Sequence, residues 1–394
     1  MKLISYFSFS LLALATGCTA QGPISGTINN AHNDEWTPMV YLIMPLNMDE
    51  VATAFTGEVI DSAAVEPEGS FTFENMPKVS GPTLFELAVQ KKGARYFNRL
   101  DNDDLPHSNY FPIIWENGEN ITLTADMTHF QSSFSIKDPS PANGELLKLR
   151  DIRLEAFRQF LDKDHSESHD AEQLMDEEAA LLNFQKQLIH FANSTNYFLP
   201  AITAIRWVSP GNDYERVPEF LVSQCEKWQK TVPDHPWVNQ LCSKGNRDQL
   251  PVLVGDQVPD TPLPMASGDT TNLHALLGSR LTVLDMWASW CAPCRKENRN
   301  ILVPLWDSYH EKGFQVIAYG LEASEGAWKN AIEKDGTTRW PNASHLMGDD
   351  APFMERLRIQ TIPANFILDA DGKVIAKNIH GQELMEFVEG YLKR

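Results

Sequence analysis

The chain has 394 residues, 42% of them apolar, and a formal net charge of −20. That is enough apolar matter for two or three packed domains at roughly 100–200 residues each. The acidity argues against a nucleic-acid partner, whose phosphates need a basic surface; it describes a soluble, self-repelling surface and names no substrate.

At the N-terminus, Lys2 precedes an uncharged, mostly apolar run over residues 3–15. The run is shorter than the roughly 20 residues of a membrane span and has the form of a signal-peptide core. It leads into residues 14–18 (LATGC), which resemble the lipobox of bacterial lipoproteins. The resemblance implies a signal peptide over 1–17, a lipid on Cys18 and a tether over 18–23 that holds the chain in the periplasm of the bacterial cell envelope. Ala15 departs from the pattern, which usually has leucine there. A plain secretory signal cut near Gly17 or Ala20 is the alternative. Either way the chain is expected in a compartment where disulfides persist.

Residues 24–136 carry the marks of a β-rich domain. Runs at 40–44 (VYLIM), 69–73 (GSFTF) and 121–124 (ITLT) read as strands, separated by turn signals at 67–69, 80–82 and 116–118. A small antiparallel sheet is expected. GSFTF and GENITL resemble the β-rich domain that precedes the thioredoxin module in exported lipoproteins, a likeness that carries no chemistry.

Over residues 137–249 the period changes to that of a helical domain or linker. Leu146, Leu149, Ile152, Ala156 and Phe160 recur at three and four, and Leu174, Leu181, Phe184, Leu188 and Phe191 follow the same face. Pro200 is placed to open a further helix and Pro210 with Gly211 to close it. The acidic stretch 162–178 reads as a solvated loop and first turn. Cys225 shares an apolar face with Val217, Leu221 and Trp228, and Cys242 follows Val238 by four. Two ordinary buried thiols and one structural disulfide both fit, because a sequence gives no Cα separation.

Residues 250–259 read as a linker into a last domain, 250–394. Residues 281–287 (LTVLDMW) are a nearly continuous apolar run, suited to a strand buried on both faces. A helix over 295–312, a strand over 314–320 and a helix over 327–334 follow. Strands at 365–369 and 373–376 flank Asp371 and Gly372, a hairpin signal, and a helix over 383–392 ends the chain. This is an α/β plan with a mixed sheet. At its first strand-to-helix junction stands WCAPC, and a CxxC there reads as a thioredoxin-like redox site. Cys291 would sit at a helix N-terminus, where free N–H groups and the helix dipole favour an anion and lower a thiol pKa from about 8.5 towards 7. Cys294, one turn on, is placed to attack a mixed disulfide.

WASWCAPC, with the upstream VGDQVPDTPL and SGDTTNLHALLG, resembles the TlpA-like family of membrane-tethered thioredoxins over residues 251–394. The resemblance implies a thioredoxin-like fold, with Cys291 as nucleophile and Cys294 as resolving thiol of one redox disulfide. Trp290 and Pro293 flank the pair, and Thr361-Ile362-Pro363 matches the family's cis-proline loop. Trp290, Pro293, Ile362 and Pro363 are therefore the expected substrate-binding residues. Asp285 matches the buried acid of thioredoxins, which takes and returns the resolving thiol's proton once burial raises its pKa. Arg299 stands where the family commonly has proline, and Pro304 lies further along the helix, so a kink or small rearrangement is expected there. Neither middle CxxC position is the histidine of strongly oxidising relatives.

A zinc site needs about four ligands, and no second CxxC or close HxxxH is present. Arg295 after Cys294 excludes CxxCH haem attachment. A peroxiredoxin nucleophile follows a Thr or Ser by three residues and a Pro by seven; Ala288 and Leu284 hold those places here. A disulfide oxidase or isomerase, a copper or haem-maturation thiol carrier, a tethered binding protein and a purely structural bridge stay open. The residues favour a thiol–disulfide oxidoreductase acting on exported protein disulfides, with no cofactor and no metal; the CAPC form leans towards the reducing direction, and the family resemblance implies a membrane thiol donor to feed it. The N-terminal strands and helices would select or position the client, or mediate dimerisation.

Overall fold

The computed structural model describes residues 22–55, 57–162 and 171–393. Cys18 and the signal segment lie outside the described residues, as does part of the acidic stretch after Asp162.

Strands β1 (Ile24–Asn29), β2 (Met39–Met44), β3 (Glu58–Ala64), β4 (Ser70–Phe73), β5 (Thr83–Ala88), β6 (Tyr110–Trp115), β7 (Ile121–Asp126) and β8 (Ser135–Ile136) make two sheets, ordered β4-β1-β7-β8 and β3-β2-β5-β6. The expected small antiparallel sheet is corrected: β1 runs parallel to β7, with Ile24 opposite Ile121 and Asn29 opposite Asp126. A parallel pair needs a long crossover, and the whole second sheet lies within it. β6 (YFPIIW) is buried at all six positions. It tolerates Pro112 because it ends its sheet, where a missing N–H can face away from the ladder.

Six helices follow among the described residues: α1 (Phe130–Ser133), α2 (Pro141–Ala156), α3 (Ala171–Ser194), α4 (Phe198–Val208), α5 (Pro218–Thr231) and α6 (Pro236–Lys244). α2 opens on Pro141 behind Ser140, whose hydroxyl accepts from the Asn143 N–H, a strong start signal. α4 is buried at all eleven positions and begins at Phe198, two residues before Pro200, since proline is tolerated within a helix's first turn. The inward residues of these helices and both sheets share one apolar core, from Ile24 to Leu253. A polar seam crosses it. Trp207 Nε1 donates to Tyr110 Oη at 2.7 Å, Tyr110 Oη donates to Asn102 Oδ1 at 2.6 Å, and Arg153 reaches Asn102 at 3.1 Å and Gln131 at 3.0 Å. The Arg153 guanidinium also lies 4.3 Å from the Trp207 ring. Its buried charge is thus both hydrogen-bonded and set on an aromatic face. A disulfide between Cys225 and Cys242, Cα atoms 4.8 Å apart, joins α5 to α6.

In the C-terminal half, β9 (Pro262–Pro264) and β10 (Thr270–Asn272) form a small hairpin. Strands β11 (Leu281–Trp287), β12 (Phe314–Gly320), β13 (Asn342–Ala343), β14 (Ala364–Asp369) and β15 (Val374–Lys377) form one mixed sheet, ordered β13-β12-β11-β14-β15. β11, β12 and β13 are parallel, whereas β14 and β15 run antiparallel to their neighbours. Helices α7 (Ala292–Glu297), α8 (Val303–Tyr309), α9 (Glu325–Asp335), α10 (Pro352–Leu357) and α11 (Gly381–Leu392) complete a thioredoxin-like α/β fold with its own core, from Val258 to Leu392. β11 is buried at all seven positions, as its unbroken apolar run requires.

α7 and α8 form one helix interrupted by a π-turn at Asn298–Leu302, in which the Val303 N–H bonds back to the Asn298 carbonyl. Pro304 has no N–H for the residue-300 carbonyl, and its ring crowds that turn. The irregularity expected near Pro304 is this widened turn, and the cysteine end of the helix stays regular. The two halves meet along residues 215–219 of the first and 360–363 and 377–378 of the second. Glu219 pairs with Lys377 at 2.8 Å and accepts the Val254 N–H at 2.9 Å.

Candidate active site

β11 points its C-terminal end at the start of α7, and residues 288–290 turn the chain between them. Cys291 is the N-cap of α7: its Sγ accepts from the Cys294 N–H at 3.3 Å, and the Cys291 N–H bonds the Ala288 carbonyl at 3.1 Å. A sulfur at this place takes the Cys294 N–H and faces the positive end of the helix dipole, which favour a thiolate once the pair is reduced. Cys291 and Cys294 are joined as a disulfide, Cα atoms 5.4 Å apart. Cys294 is 2% exposed and Cys291 5%, while Trp290 beside them is 65% exposed. Pro293 is half-buried in the first turn of the helix.

β14 pairs antiparallel with β11, Ala364 opposite Met286. That register brings Ile362 and Pro363 to the end of β11 where the cysteines begin. The Ile362–Pro363 peptide bond is cis; Pro363 is buried and Ile362 half-buried. Cys291, Cys294, Trp290, Pro293, Ile362 and Pro363 thus gather at one end of the sheet.

Acidic groups surround this end, and sequence reasoning identified only one of them. Asp285, on β11, is 3% exposed; burial first, and then the charge of Glu297, hold its carboxyl well above the usual carboxylate range. Glu297 lies one turn beyond Cys294. Its carboxylate accepts the Gly381 N–H at 3.0 Å and pairs with His380 Nδ1 at 2.8 Å, so it caps the start of α11. The spacing of three between Cys294 and Glu297, which puts both on one helix face, was a signal for it. Glu322, buried just past β12, accepts from both the N–H and the hydroxyl of Ser289 and so fixes the turn before Trp290. Burial raises its carboxyl. Asp335, at the end of α9, accepts from Arg295 at 2.7 and 2.8 Å and from Arg299 at 2.7 Å. Arg299 therefore has a partner of its own where proline was the expected residue. No local signal marks Glu322 or Asp335, because the residues they hold are 33 and 40 positions away.

Cys225 and Cys242 belong to the other core and take no part in this gathering. Among the described residues, no group of three or more His, Cys, Asp or Glu is placed to hold a metal ion, and no helix is long and apolar enough to cross a membrane.

A cysteine pair at the head of a helix, on a sheet of this order, defines the thioredoxin-like thiol–disulfide oxidoreductases. Residues 253–387 match the Redoxin family. A thiol-disulfide oxidoreductase ResA of Bacillus cereus is 30% identical over 147 residues, which are 37% of this chain and 81% of that protein. The thioredoxin-like protein YneN of Bacillus subtilis (strain 168) is 26% identical over 137 residues, 34% of this chain and 75% of that one. Among solved structures, a thiol-disulfide oxidoreductase from Bacteroides fragilis NCTC 9343 is 28% identical, with a TM-score of 0.32, over 34% of this chain and 98% of that one. The chain belongs to the ResA-like thiol–disulfide oxidoreductases of the thioredoxin superfamily, through a TlpA-like C-terminal domain. The matched segment is its last third.

Proposed function

We propose that this protein reduces disulfides in exported protein clients. The observation that carries the reading is the Cys291–Cys294 pair at the head of α7, beside the cis-proline loop. In the reduced enzyme the Cys291 thiolate attacks one sulfur of a client disulfide. A Cys291–client bond forms, and the client's other sulfur leaves as a thiolate. Cys294 then gives its proton to Asp285 in its ionised form and attacks the Cys291 sulfur, and the client sulfur displaced as a thiolate takes that proton back from Asp285. The client leaves with its second thiol, and the enzyme is left as the Cys291–Cys294 disulfide. Two electrons have passed to the client; a membrane thiol donor returns them. A carboxyl whose proton affinity has been raised by burial is suited to take and return that proton.

Trp290, Pro293, Ile362 and Pro363 form the surface the client meets, with the Ile362 backbone pairing to an extended client strand. The LATGC stretch supports a lipid on Cys18, which would keep the enzyme at the periplasmic membrane surface beside its donor. The β-rich module ahead of the helices fits the architecture of exported lipoproteins.

The test is insulin reduction by the full chain recycled with dithiothreitol. Cys291→Ser is expected to abolish it, and retention of full activity refutes the assignment. The direction is read from the reduction potential of the pair: about −270 mV supports a reductase, about −120 mV an oxidase.

A further inference from the structure

The redox end of the thioredoxin-like sheet is gripped from outside its own domain. Glu215, in the loop between α4 and α5, accepts from the Gln360 N–H at 3.1 Å, the Thr361 N–H at 3.2 Å and the Thr361 hydroxyl at 2.7 Å. Its neighbour Arg216 donates to the Pro363 carbonyl at 2.9 Å and to Asn378 Oδ1 at 3.0 Å. Arg216 is itself oriented by Glu178 of α3 at 2.8 Å, and α3 passes alongside α7. The loop that carries the pair is anchored in the N-terminal core. Tyr214 is buried with its hydroxyl on the Ile205 carbonyl at 3.0 Å, and Arg206 donates to the carbonyls of Ser209 and Pro210 at 3.1 and 2.7 Å.

These bonds share one feature. Along the cis-proline loop they take backbone groups of residues 360, 361 and 363 and the Thr361 hydroxyl, and none of them uses the N–H or carbonyl of Ile362. The cis-proline loop is thus held on both sides of the residue that stands at the end of β11, with that residue's own polar groups outside the grip. A loop used to pair with a peptide strand must otherwise be ordered at the moment of binding, and that ordering weakens affinity. Holding it in advance removes the penalty without touching the sulfur chemistry.

We infer that Glu215 and Arg216 are positioning residues that fix the cis-proline loop for an extended client backbone, so that the N-terminal module forms part of the client site. The inference rests on the redox reading above and deepens it. Insulin reduction by the full chain tests it, with KM and kcat separated and the glutathione equilibrium of the Cys291–Cys294 pair measured beside them. Glu215→Ala and Arg216→Ala are each expected to raise KM roughly tenfold, with kcat and the glutathione equilibrium within about twofold of the parent. Glu215→Gln keeps the shape and one acceptor oxygen and should fall between. KM within twofold of the parent in these variants overturns the inference. So does a loss carried by kcat together with a shifted glutathione equilibrium, which marks general loosening of the domain. If an alanine variant does not fold, Glu215→Gln decides alone, and an unchanged KM there is a refutation. A parent and a Cys291→Ser chain that turn insulin over alike sink the redox reading instead.

Discussion

Asp335, its side chain 1% exposed, takes the Arg295 guanidinium in a two-point hydrogen bond at 2.7 and 2.8 Å. Arg295 directly follows Cys294, so this contact pins the cysteine-bearing turn to the end of α9. Arg299 adds a third bond one turn along. A buried carboxylate is stable only with such partners, and removing one partner leaves the other's polar groups unmet. Asp335→Ala should therefore destabilise the chain by about 2–3 kcal/mol. Arg295→Ala should cost less, because Arg295 is one-quarter exposed, and Arg299→Ala least, with one bond and nearly half its side chain in water. Urea unfolding of the three variants checks the order; Arg299→Ala proving the most damaging would contradict it.

Asp285 makes stability depend on pH in a definite direction. Its folded carboxyl binds a proton more tightly than the same carboxyl in the unfolded chain. Its favourable contribution is complete below the usual carboxylate range and is lost as pH rises through the folded pKa. Asp285→Asn should then be more stable than the parent at pH 8, and the gain should shrink on acidification to pH 4. Each tenfold displacement of the proton equilibrium corresponds to about 1.4 kcal/mol. Unfolding curves at several pH values measure this, and a gain that ignores pH would count against a carboxyl whose proton affinity burial has raised. The same variant should slow resolution of the mixed disulfide by about 100-fold or more if Asp285 receives the Cys294 proton.

Under the proposed function, Cys294→Ser keeps the sulfur proposed to attack and removes the one proposed to displace the captured client. Mixing this variant with oxidised envelope proteins should yield covalent adducts that dithiothreitol releases. Adducts that persist in Cys291→Ser,Cys294→Ser would show that another cysteine forms them.

The Cys225–Cys242 bridge spans 17 positions. Closing a loop of that size restrains the unfolded chain by about 3 kcal/mol. The double change Cys225→Ser,Cys242→Ser should lower unfolding stability by about 2–4 kcal/mol, read by denaturant titration. Its effect should fall on the N-terminal core, which contains both residues, while Cys291 and Cys294 still interconvert with glutathione.

Short-range order in the last third was legible from residue pattern. β11 and β12 occupy the apolar runs at 281–287 and 314–320, because a strand buried on both faces has few places for polar residues. The WCAPC motif marked the strand-to-helix junction for the same local reason: capping chemistry and the turn depend on neighbours in the chain. The N-terminal half was less legible. β6 contains a proline, and β1 finds its parallel partner β7 only across the whole intervening sheet.

The amino-acid sequence by itself determined the cysteine pair at the helix start and the α/β plan around it, since both rest on spacings of a few residues, and a family resemblance singled out the acid on the strand before it. Tertiary structure alone decided what holds that pair. Glu322 on Ser289, Asp335 on Arg295 and Arg299, and Glu215 and Arg216 on the cis-proline loop act across 33 to 147 positions. Chain separation carries no signature of such contacts: a carboxylate destined for burial beside a guanidinium looks, in sequence, like one destined for water.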